Sequence, residues 1–434
     1  MTGPEGVARM LGSLLEAGHL ADVEQLPGLI ADCGAMAGLM DARVYVADLR
    51  QQLLRELTGR GPDAGLGGEE YAVDGTLPGA AFRESRVLAS SHAADDCGRR
   101  RYWVPVLEGI QRLGVLRADV APGAAEAGVG GTAADTAALR HLASLTGLLL
   151  AGKRPSSDAY ARLVRTEAMR VAAEMQWKLM PPLASANDRV VLAAAMEPAY
   201  EVAGDAFDYA FADGVVHLAV FDAMGHDSAA GLTANLAVAT GRSQRRDGAE
   251  LLTIAREIED TLLRHFAHTR YTTGILADFD TRTGRLSWIN CGHPAPVLIR
   301  GGRWTAALDC PPSHPLGTEL NLPLTICHEH LEPGDRLLLY TDGITEARDA
   351  RGHQFGLAHF VDFVVRHQAD GLPVVETLRR LVRAVLAHHG DTLSDDATVV
   401  LMEWHGGPHD TAGKPGSAAA QGLTRAAPPL PGPT

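Results

Sequence analysis

The chain has 434 residues, of which 46% are hydrophobic and 21% are charged, and its formal net charge is −14. This length and composition indicate a globular protein of two or three domains. The acidic balance disfavours general binding to nucleic acids or to anionic membranes.

The five cysteines show no CxxC spacing, so the sequence gives no sign of a disulfide framework or of a structural zinc site. The N-terminus has no basic region followed by an apolar core, and the most apolar helix candidate, Leu139 to Ala151, is too short to span a bilayer. We therefore expect a cytoplasmic protein that binds neither nucleic acid nor membrane.

Residues 1–152 are predicted to form one small α/β domain, with strands framed by helices at both ends. Two stretches, Gly75 to Phe82 and Val104 to Leu116, resemble the GAF family. The resemblance implies a sensory or dimerisation domain, and the sequence carries no signature of a particular ligand. The predicted helices are 7–20, 23–40 and 135–151, and the predicted strands are 43–48, 87–89, 101–106 and 111–118.

Residues 156–182 are interpreted as a linker helix that ends at Pro181-Pro182. Apolar residues at coiled-coil spacing form a short seam along this segment. Two interpretations remain open: a helix that packs on its own domain, or a parallel stalk that forms a homodimer together with the GAF-like domain. The seam consists of Val164, Ala168, Val171, Met175 and Leu179.

Residues 188–404 contain many short strands in succession, joined by turns such as 280–284, and this order predicts antiparallel sheets of an α+β domain. The tail, 406–434, is rich in Gly, Ala and Pro and is predicted to be disordered. The strands are 190–196, 215–221, 274–280, 285–290, 296–299 and 398–403, and the helices are 229–241, 249–268 and 373–388.

Acidic residues lie at the margins of four apolar segments in this domain. A lone Asp-Gly indicates only a turn, but carboxylates gathered at strand ends are the ligands that hard divalent cations need. No Cys or His has ligand spacing, so Mg²⁺ or Mn²⁺ is favoured over zinc, and two such ions can activate water and hold a phosphoryl oxygen. The segments are 201–209, 222–227, 340–343 and 394–398.

In their order and context, these segments resemble the metal-dependent serine/threonine phosphatases of the PPM family, in the bacterial SpoIIE-like branch. Asn290 to Pro296 and Thr341 to Ala347 also match the family pattern. The resemblance implies an α-β-β-α sandwich of two antiparallel sheets flanked by helices. It also implies direct attack on phosphoserine or phosphothreonine by water that bridges two Mn²⁺ or Mg²⁺ ions, without a phosphoenzyme.

Carried over by residue, the resemblance implies that Asp205 and Asp222 bridge the two metals and that Ala223 adds a backbone carbonyl. Asp342 and Asp395 would complete one metal, and Asp205, Asp222 and Asp342 would be the catalytic residues. Two further carboxylates are candidates for the outer shell or for a third ion, Asp208 and Asp396.

Two departures from the family pattern bear on the site. Asp227 adds a carboxylate near the metals, and the arginine that holds phosphate in eukaryotic relatives has no counterpart before Asp205. His226 and His293 could assist proton transfer, although a structural role is the more common one for such residues.

A cysteine phosphatase needs Cys-x5-Arg, but Arg300 is nine residues after Cys291. A haloacid-dehalogenase-type site fails because Arg282 follows Asp278-Phe279-Asp280-Thr281. The remaining alternative is a non-catalytic or weakly active signalling module of the same fold. The resemblance also implies a substrate, a phosphorylated STAS-type anti-sigma-factor antagonist in partner-switching signalling.

Overall fold

The computed structural model describes residues 4–93, 98–121, 133–390, 393 and 395–407. The chain divides into two compact units, Met1–Met169 and Arg170–Thr434. The predicted disordered tail, 406–434, falls outside the described residues from 408 onward. Within the described ranges, no helix combines the length and hydropathy that crossing a lipid bilayer requires.

The first unit is built on a six-stranded antiparallel sheet of order β3-β2-β1-β6-β5-β4. Its strands are β1 (Leu39–Ala47), β2 (Leu53–Leu57), β3 (Glu70–Ala72), β4 (Leu88–Ala93), β5 (Arg100–Glu108) and β6 (Gln111–Val120). Its helices are α1 (Pro4–Gly18), α2 (Leu26–Met36), α3 (Leu77–Glu84), α4 (Ala133–Lys153) and α5 (Asp158–Val164).

Both faces of this sheet are buried. Side chains alternate along a strand, so Val44 and Val46 lie in the cluster that also holds residues of α1, α2 and α4. Tyr45 points to the other face and packs near Phe82 of α3. The predicted strands and helices of residues 1–152 are present, with one difference: the second helix ends at Met36 because the chain from Leu39 joins β1.

The prediction of one continuous linker helix was wrong. The chain forms α5 and α6 (Val171–Leu179), and residues 165–170 between them are not helical. Val164 is buried in the core of the first unit, whereas Val171 is 71% exposed. The predicted seam is therefore split, because packing of α5 overrides the helical pattern and Arg170, in extended conformation, donates its N–H to Tyr200 O.

The second unit contains two antiparallel sheets, of order β15-β12-β11-β10-β9 and β14-β13-β16-β17-β8-β7. Its strands are β7 (Ala184–Ala186), β8 (Val190–Glu197), β9 (Asp205–Ala212), β10 (Val215–Ala223), β11 (Thr272–Asp280), β12 (Arg285–Cys291), β13 (Val297–Arg300), β14 (Arg303–Ala307), β15 (Cys327–His330), β16 (Arg336–Tyr340) and β17 (Ala397–Trp404). Its further helices are α7 (Ser228–Arg246), α8 (Leu251–Phe266), α9 (Asp342–Glu346), α10 (Leu357–Ala369) and α11 (Val374–His389).

The two sheets face each other. The rings of Phe279 in β11 and Trp404 in β17 lie 5.5 Å apart, and Trp404 Nε1 donates to Thr281 O. Helices α7 and α8 cover the five-stranded sheet, and α11 covers the six-stranded sheet with α10 beside it. The predicted α-β-β-α sandwich is confirmed.

The cysteines depart from the sequence-based expectation in one respect. Cys310 and Cys327 form a disulfide, although their separation of 17 residues matches no recognised motif. The fold brings them together because Cys327 begins β15 at the edge of the five-stranded sheet. Cys33 and Cys291 are free and buried.

Candidate active site

The predicted acidic residues meet where strands of the two facing sheets end. Asp205 opens β9 and is the direct cross-strand partner of Asp222 near the end of β10. Directly opposed residues of an antiparallel pair project from the same face of the sheet. In the other sheet, Asp342 follows β16, and Asp395 and Asp396 precede β17.

A hydrogen-bonded threonine joins the two sheets at this point. Thr341 Oγ1 donates to Asp205 Oδ2 at 2.7 Å and accepts from the N–H of Thr398 at 2.8 Å. Thr341 is fully buried, so these bonds are protected from water. The threonine stood within the matched motif, but its sequence context gave no indication that it would orient Asp205.

Asp396 holds the loop that carries Asp205. Its Oδ2 accepts hydrogen bonds from the backbone N–H groups of Ala203, Gly204 and Asp205, at 2.9, 2.6 and 3.3 Å. Three donors on one carboxylate oxygen fix the turn before β9. This bonding gives Asp396 a positioning role that the sequence-based prediction, an outer-shell ligand, did not include.

Two glycines permit the close approach of these loops. A Cβ at Gly343 would lie 1.9 Å from Asp396 O. A Cβ at Gly204 would lie 2.6 Å from Gly225 O and 2.7 Å from Ala223 O. No side chain fits at either distance, so only glycine lets the backbones carrying the carboxylates come together.

The cluster is electrostatically uncompensated. Burial raises the pKa of Asp205 well above its usual range, and the neighbouring Asp222 and Asp396 raise it further. Burial, followed by the charges of Asp342, Asp395 and Asp396, raises the pKa of Asp222 to about 7. Burial and then Asp395 raise the pKa of Asp342.

No lysine or arginine in the described residues forms an ion pair with Asp205, Asp222, Asp342 or Asp395. Buried like charges without a counter-ion are strongly unfavourable, and a protein tolerates them where a cation binds. The donors are carboxylate and carbonyl oxygens, which suit Mg²⁺ or Mn²⁺.

The types of these side chains suit a divalent cation, but their arrangement does not yet surround one ion. Across the described ranges, no three carboxylate, imidazole or thiolate groups are arranged to hold one ion. Asp395 is exposed and Asp342 half-buried. The donor types therefore fit a hard divalent cation.

Asp208 does not join the cluster, and its prediction as a metal residue was wrong. It is three residues from Asp205, so its side chain leaves the opposite face of β9. There it accepts from Arg242 Nε at 2.9 Å and from an Arg245 terminal nitrogen at 2.8 Å. Asp208 thus anchors α7 to the sheet.

Asp227 has a structural partner as well as a place near the site. Its Oδ1 accepts from the N–H of Ala230 and caps α7, and its Oδ2 lies 2.9 Å from an Arg270 terminal nitrogen. These bonds lower the pKa of Asp227. Arg270 was not identified from the sequence, because it stands outside every recognised motif and only the fold brings it to the 224–227 loop.

His293 connects the two halves of the site. It is 5% exposed, and burial lowers its pKa to about 4, so its ring is neutral at neutral pH. Tyr340 O can only accept, so Nε2 carries the proton toward it at 3.0 Å, and Nδ1 accepts from Thr273 Oγ1 at 2.7 Å. Thr273 is the cross-strand partner of Asp222. His226, in contrast, is exposed.

We predict that His293→Ala destabilises the protein by about 2–4 kcal/mol, because it removes two buried hydrogen bonds and leaves a cavity. Urea unfolding measures this change. The matched variant His226→Ala should stay within about 0.5 kcal/mol of the wild type. Equal stability of the two variants would show that His293 does not connect the sheets.

We predict a pH-dependent gain in stability for Asp222→Asn in metal-free protein. The raised pKa of Asp222 means that the folded state keeps a proton that the unfolded state releases between about pH 4 and 7. Wild-type stability therefore falls as pH rises through this window, and the variant should be more stable by about 2–4 kcal/mol near pH 8. Below about pH 4 the difference should vanish.

Chemical unfolding after treatment with a chelator measures this difference. Asp188→Asn is the control, since Asp188 is 72% exposed and far from any carboxylate cluster in the chain sequence. A stability difference for Asp222→Asn that does not change with pH would contradict the electrostatic argument.

Comparison with known proteins shows which family this domain resembles. Residues 212–405 match the family model for Stage II sporulation protein E (SpoIIE), a range that includes Asp222, Asp342 and Asp395. Phosphoserine phosphatase RsbP of Bacillus subtilis (strain 168) is 26% identical over 229 residues, covering 50% of this chain and 53% of RsbP. Protein IcfG of Synechocystis is 23% identical over 164 residues, covering 37% and 25%. The chain thus spans about half the length of RsbP and a quarter of IcfG.

Solved structures show weaker global similarity. The RsbU and RsbW domains of Rv1364c from Mycobacterium tuberculosis give a TM-score of 0.44 at 21% identity, covering 53% of this chain and 63% of that chain. The PP2C phosphatase domain and regulatory fragment of SpoIIE from Bacillus subtilis give 0.43 at 20% identity, covering 51% and 63%. The family-model match covers residues 212–405, and this part of the chain is similar to the SpoIIE family.

Proposed function

We propose that the second unit is a metal-dependent protein serine/threonine phosphatase that hydrolyses phosphoserine or phosphothreonine. The observation that carries this proposal is the cluster of uncompensated carboxylates at the facing ends of two sheets, inside a domain that is similar to the SpoIIE family. The name of the relative RsbP, a phosphoserine phosphatase, supports the same class of substrate.

The residues proposed to hold two divalent cations, Mn²⁺ or Mg²⁺, are oxygen donors from both sheets. Bound cations would supply neutralisation of the phosphoryl charge and activation of water. Thr341 keeps the Asp205 carboxylate oriented, and Asp396 keeps its loop in place. The proposed ligands are Asp205, Asp222, the carbonyl of Ala223, Asp342 and Asp395.

Among the described residues, the cysteine near this site is not an activated nucleophile. Cys291 is fully buried, and burial raises the pKa of its thiol to about 12, so it stays protonated and inert. This observation supports the rejection of a cysteine phosphatase. Transfer of the phosphoryl group directly to water is therefore the mechanism we propose.

A second candidate, a non-catalytic or weakly active signalling module, is favoured by one observation. No three ligand side chains within the described residues are gathered closely enough for an ion. A module of this kind would bind a phosphorylated partner without turnover. The two candidates differ in whether added Mn²⁺ or Mg²⁺ produces hydrolysis.

We predict that the wild-type protein hydrolyses a phosphoserine peptide only with Mn²⁺ or Mg²⁺ and that Asp342→Asn lowers kcat by at least about 100-fold. The substitution keeps the shape of the side chain and removes one negative charge from the proposed ligand set. Release of inorganic phosphate measures the rate. Asp188→Asn should remain fully active, and activity that survives both EDTA and Asp342→Asn would refute the metal mechanism.

For the physiological substrate, we propose a phosphorylated STAS-type anti-sigma-factor antagonist, within partner-switching signalling. The proposal rests on family resemblance. Immobilised Asp342→Asn protein should retain a phosphorylated antagonist and release the unphosphorylated form. Equal retention of both forms would count against this substrate.

For the first unit, we propose a GAF-like sensory and dimerisation domain that regulates the phosphatase. A contact within the second unit supports regulation through α6. Gln176, fully buried on this helix, donates from Nε2 to Ala203 O at 2.8 Å, and the N–H of Ala203 donates to Asp396. Helix α6, in the second half of the predicted linker, thus holds the same loop that carries Asp205.

We predict that Gln176→Leu raises the Mn²⁺ concentration needed for half-maximal activity by about 3- to 10-fold, because the Asp205 loop loses one of its hydrogen bonds. A metal titration of the rate measures this shift. Val171→Ala is the matched control on the same helix, since Val171 is 71% exposed. An unchanged metal dependence in Gln176→Leu would remove the support for regulation through α6.

A further inference from the structure

Arg270 lies beside the site without having been assigned a role. It precedes β11, whose first residue, Thr272, is the cross-strand partner of Ala223. The N–H of Met224 donates to Tyr271 O at 3.1 Å, which ties the 224–227 loop to the residue next to Arg270. The guanidinium group therefore lies against the loop that directly follows Asp222 and Ala223.

Two contacts hold this guanidinium in place. One terminal nitrogen donates to Met224 O at 3.1 Å, and the other donates to Asp227 Oδ2 at 2.9 Å. Gly225, whose φ is +90°, lies next to this guanidinium: a Cβ there would be 3.5 Å from the first nitrogen, which is an ordinary contact distance. The Arg270 side chain is 24% exposed, which leaves part of it open to solvent.

The positive charge of Arg270 matters because the substrate of the proposed site is negatively charged. A phosphate ester carries negative charge, and it must approach a cluster in which Asp205, Asp222 and Asp342 have no basic partner. Arginine presents five N–H donors in a planar fork that matches phosphate geometry. The two contacts of Arg270 use two of these donors, and three remain for a ligand.

We propose that Arg270 binds the phosphoryl group of the substrate, and that Met224 O and Asp227 preorganise its guanidinium for this task. This proposal rests on the phosphatase function proposed above. It places a phosphate-binding arginine just before β11, whereas the sequence has no such arginine before Asp205. Asp227 then serves as the support of this arginine and as the N-cap of α7.

Arg270→Met tests the proposal, because methionine keeps an extended side chain and removes the charge and the donors. Binding of inorganic phosphate, measured by calorimetry with Mg²⁺ present, should weaken by about 10- to 100-fold. In hydrolysis of a phosphoserine peptide, KM should rise by a similar factor. Arg270→Lys should recover part of the affinity, since lysine restores a point charge without the fork.

Arg282→Met is the matched control. Arg282 pairs with Asp280 at the opposite end of β11 and is 62% exposed. Phosphate affinity and KM of this variant should equal those of the wild type. An Arg270→Met variant that binds phosphate as tightly as the wild type would overturn the proposal.

Asp227→Asn tests whether Arg270 binds phosphate directly or only holds the 224–227 loop in place. Asparagine keeps the N-cap acceptor and removes the carboxylate oxygen that accepts from Arg270. The proposal expects phosphate affinity within about 3-fold of the wild type, because Met224 O still holds Arg270. If Asp227→Asn and Arg270→Met weaken phosphate binding equally, Arg270 only clamps the loop and the proposal is wrong.

The two readouts also separate this proposal from the proposed function. Wild-type protein that binds phosphate through Arg270 but releases none from phosphopeptides would refute the phosphatase and retain the binding residue. If the wild-type protein hydrolyses phosphopeptides and Arg270→Met has the same KM, the phosphatase function stands and the role of Arg270 is refuted. A wild type that binds no phosphate overturns the role of Arg270.

Discussion

The structure of the second unit depends on the mutual repulsion of carboxylates that the fold forces together. Asp205 and Asp222 are direct cross-strand partners on one face, and no basic side chain within the described residues offsets their charge. Their arrangement costs free energy that the surrounding sandwich must supply. Much of the local structure is understandable as the means of holding this unfavourable cluster in place.

Three uncharged connections provide that support. Thr341 bonds across the sheets to Asp205, His293 joins Thr273 to Tyr340, and glycines allow the backbones to meet. Each of these groups is neutral, so none of them competes with a cation for the site. A protein that used arginine instead would neutralise the carboxylates permanently and leave no demand for a metal.

The sequence predicted the parts of this architecture that depend on local patterns. Six of the strands from Val190 onward, three of the helices that flank them and the acidic strand ends follow from hydrophobic periodicity and turn residues. Contacts between distant segments could not be read in this way. The disulfide between Cys310 and Cys327, the bond from Gln176 to Ala203 and the place of Arg270 all depend on tertiary packing.

In the linker, tertiary packing prevented a structure that the local pattern predicted. Its apolar spacing is that of a continuous helix, but Val164 is buried with the first unit and Val171 is exposed, so burial overrides a good local pattern. Asp208 was predicted to be a metal residue because it lies in a matched segment. Strand alternation turns its side chain to the face of β9 opposite to Asp205. In the first case a helical pattern predicted an element that does not form, and in the second a matched segment predicted the wrong role for one residue.

The position of Asp208 affects how mutational data on this domain are interpreted. Its carboxylate receives Arg242 and Arg245, and Arg242 also donates to Leu179 O, so one residue secures both α7 and the end of α6. Loss of Asp208 should therefore produce an inactive phenotype that looks like loss of a metal ligand, although the proposed ion site would keep all its donors. Added metal cannot rescue such a defect, whereas conditions that stabilise helix docking can.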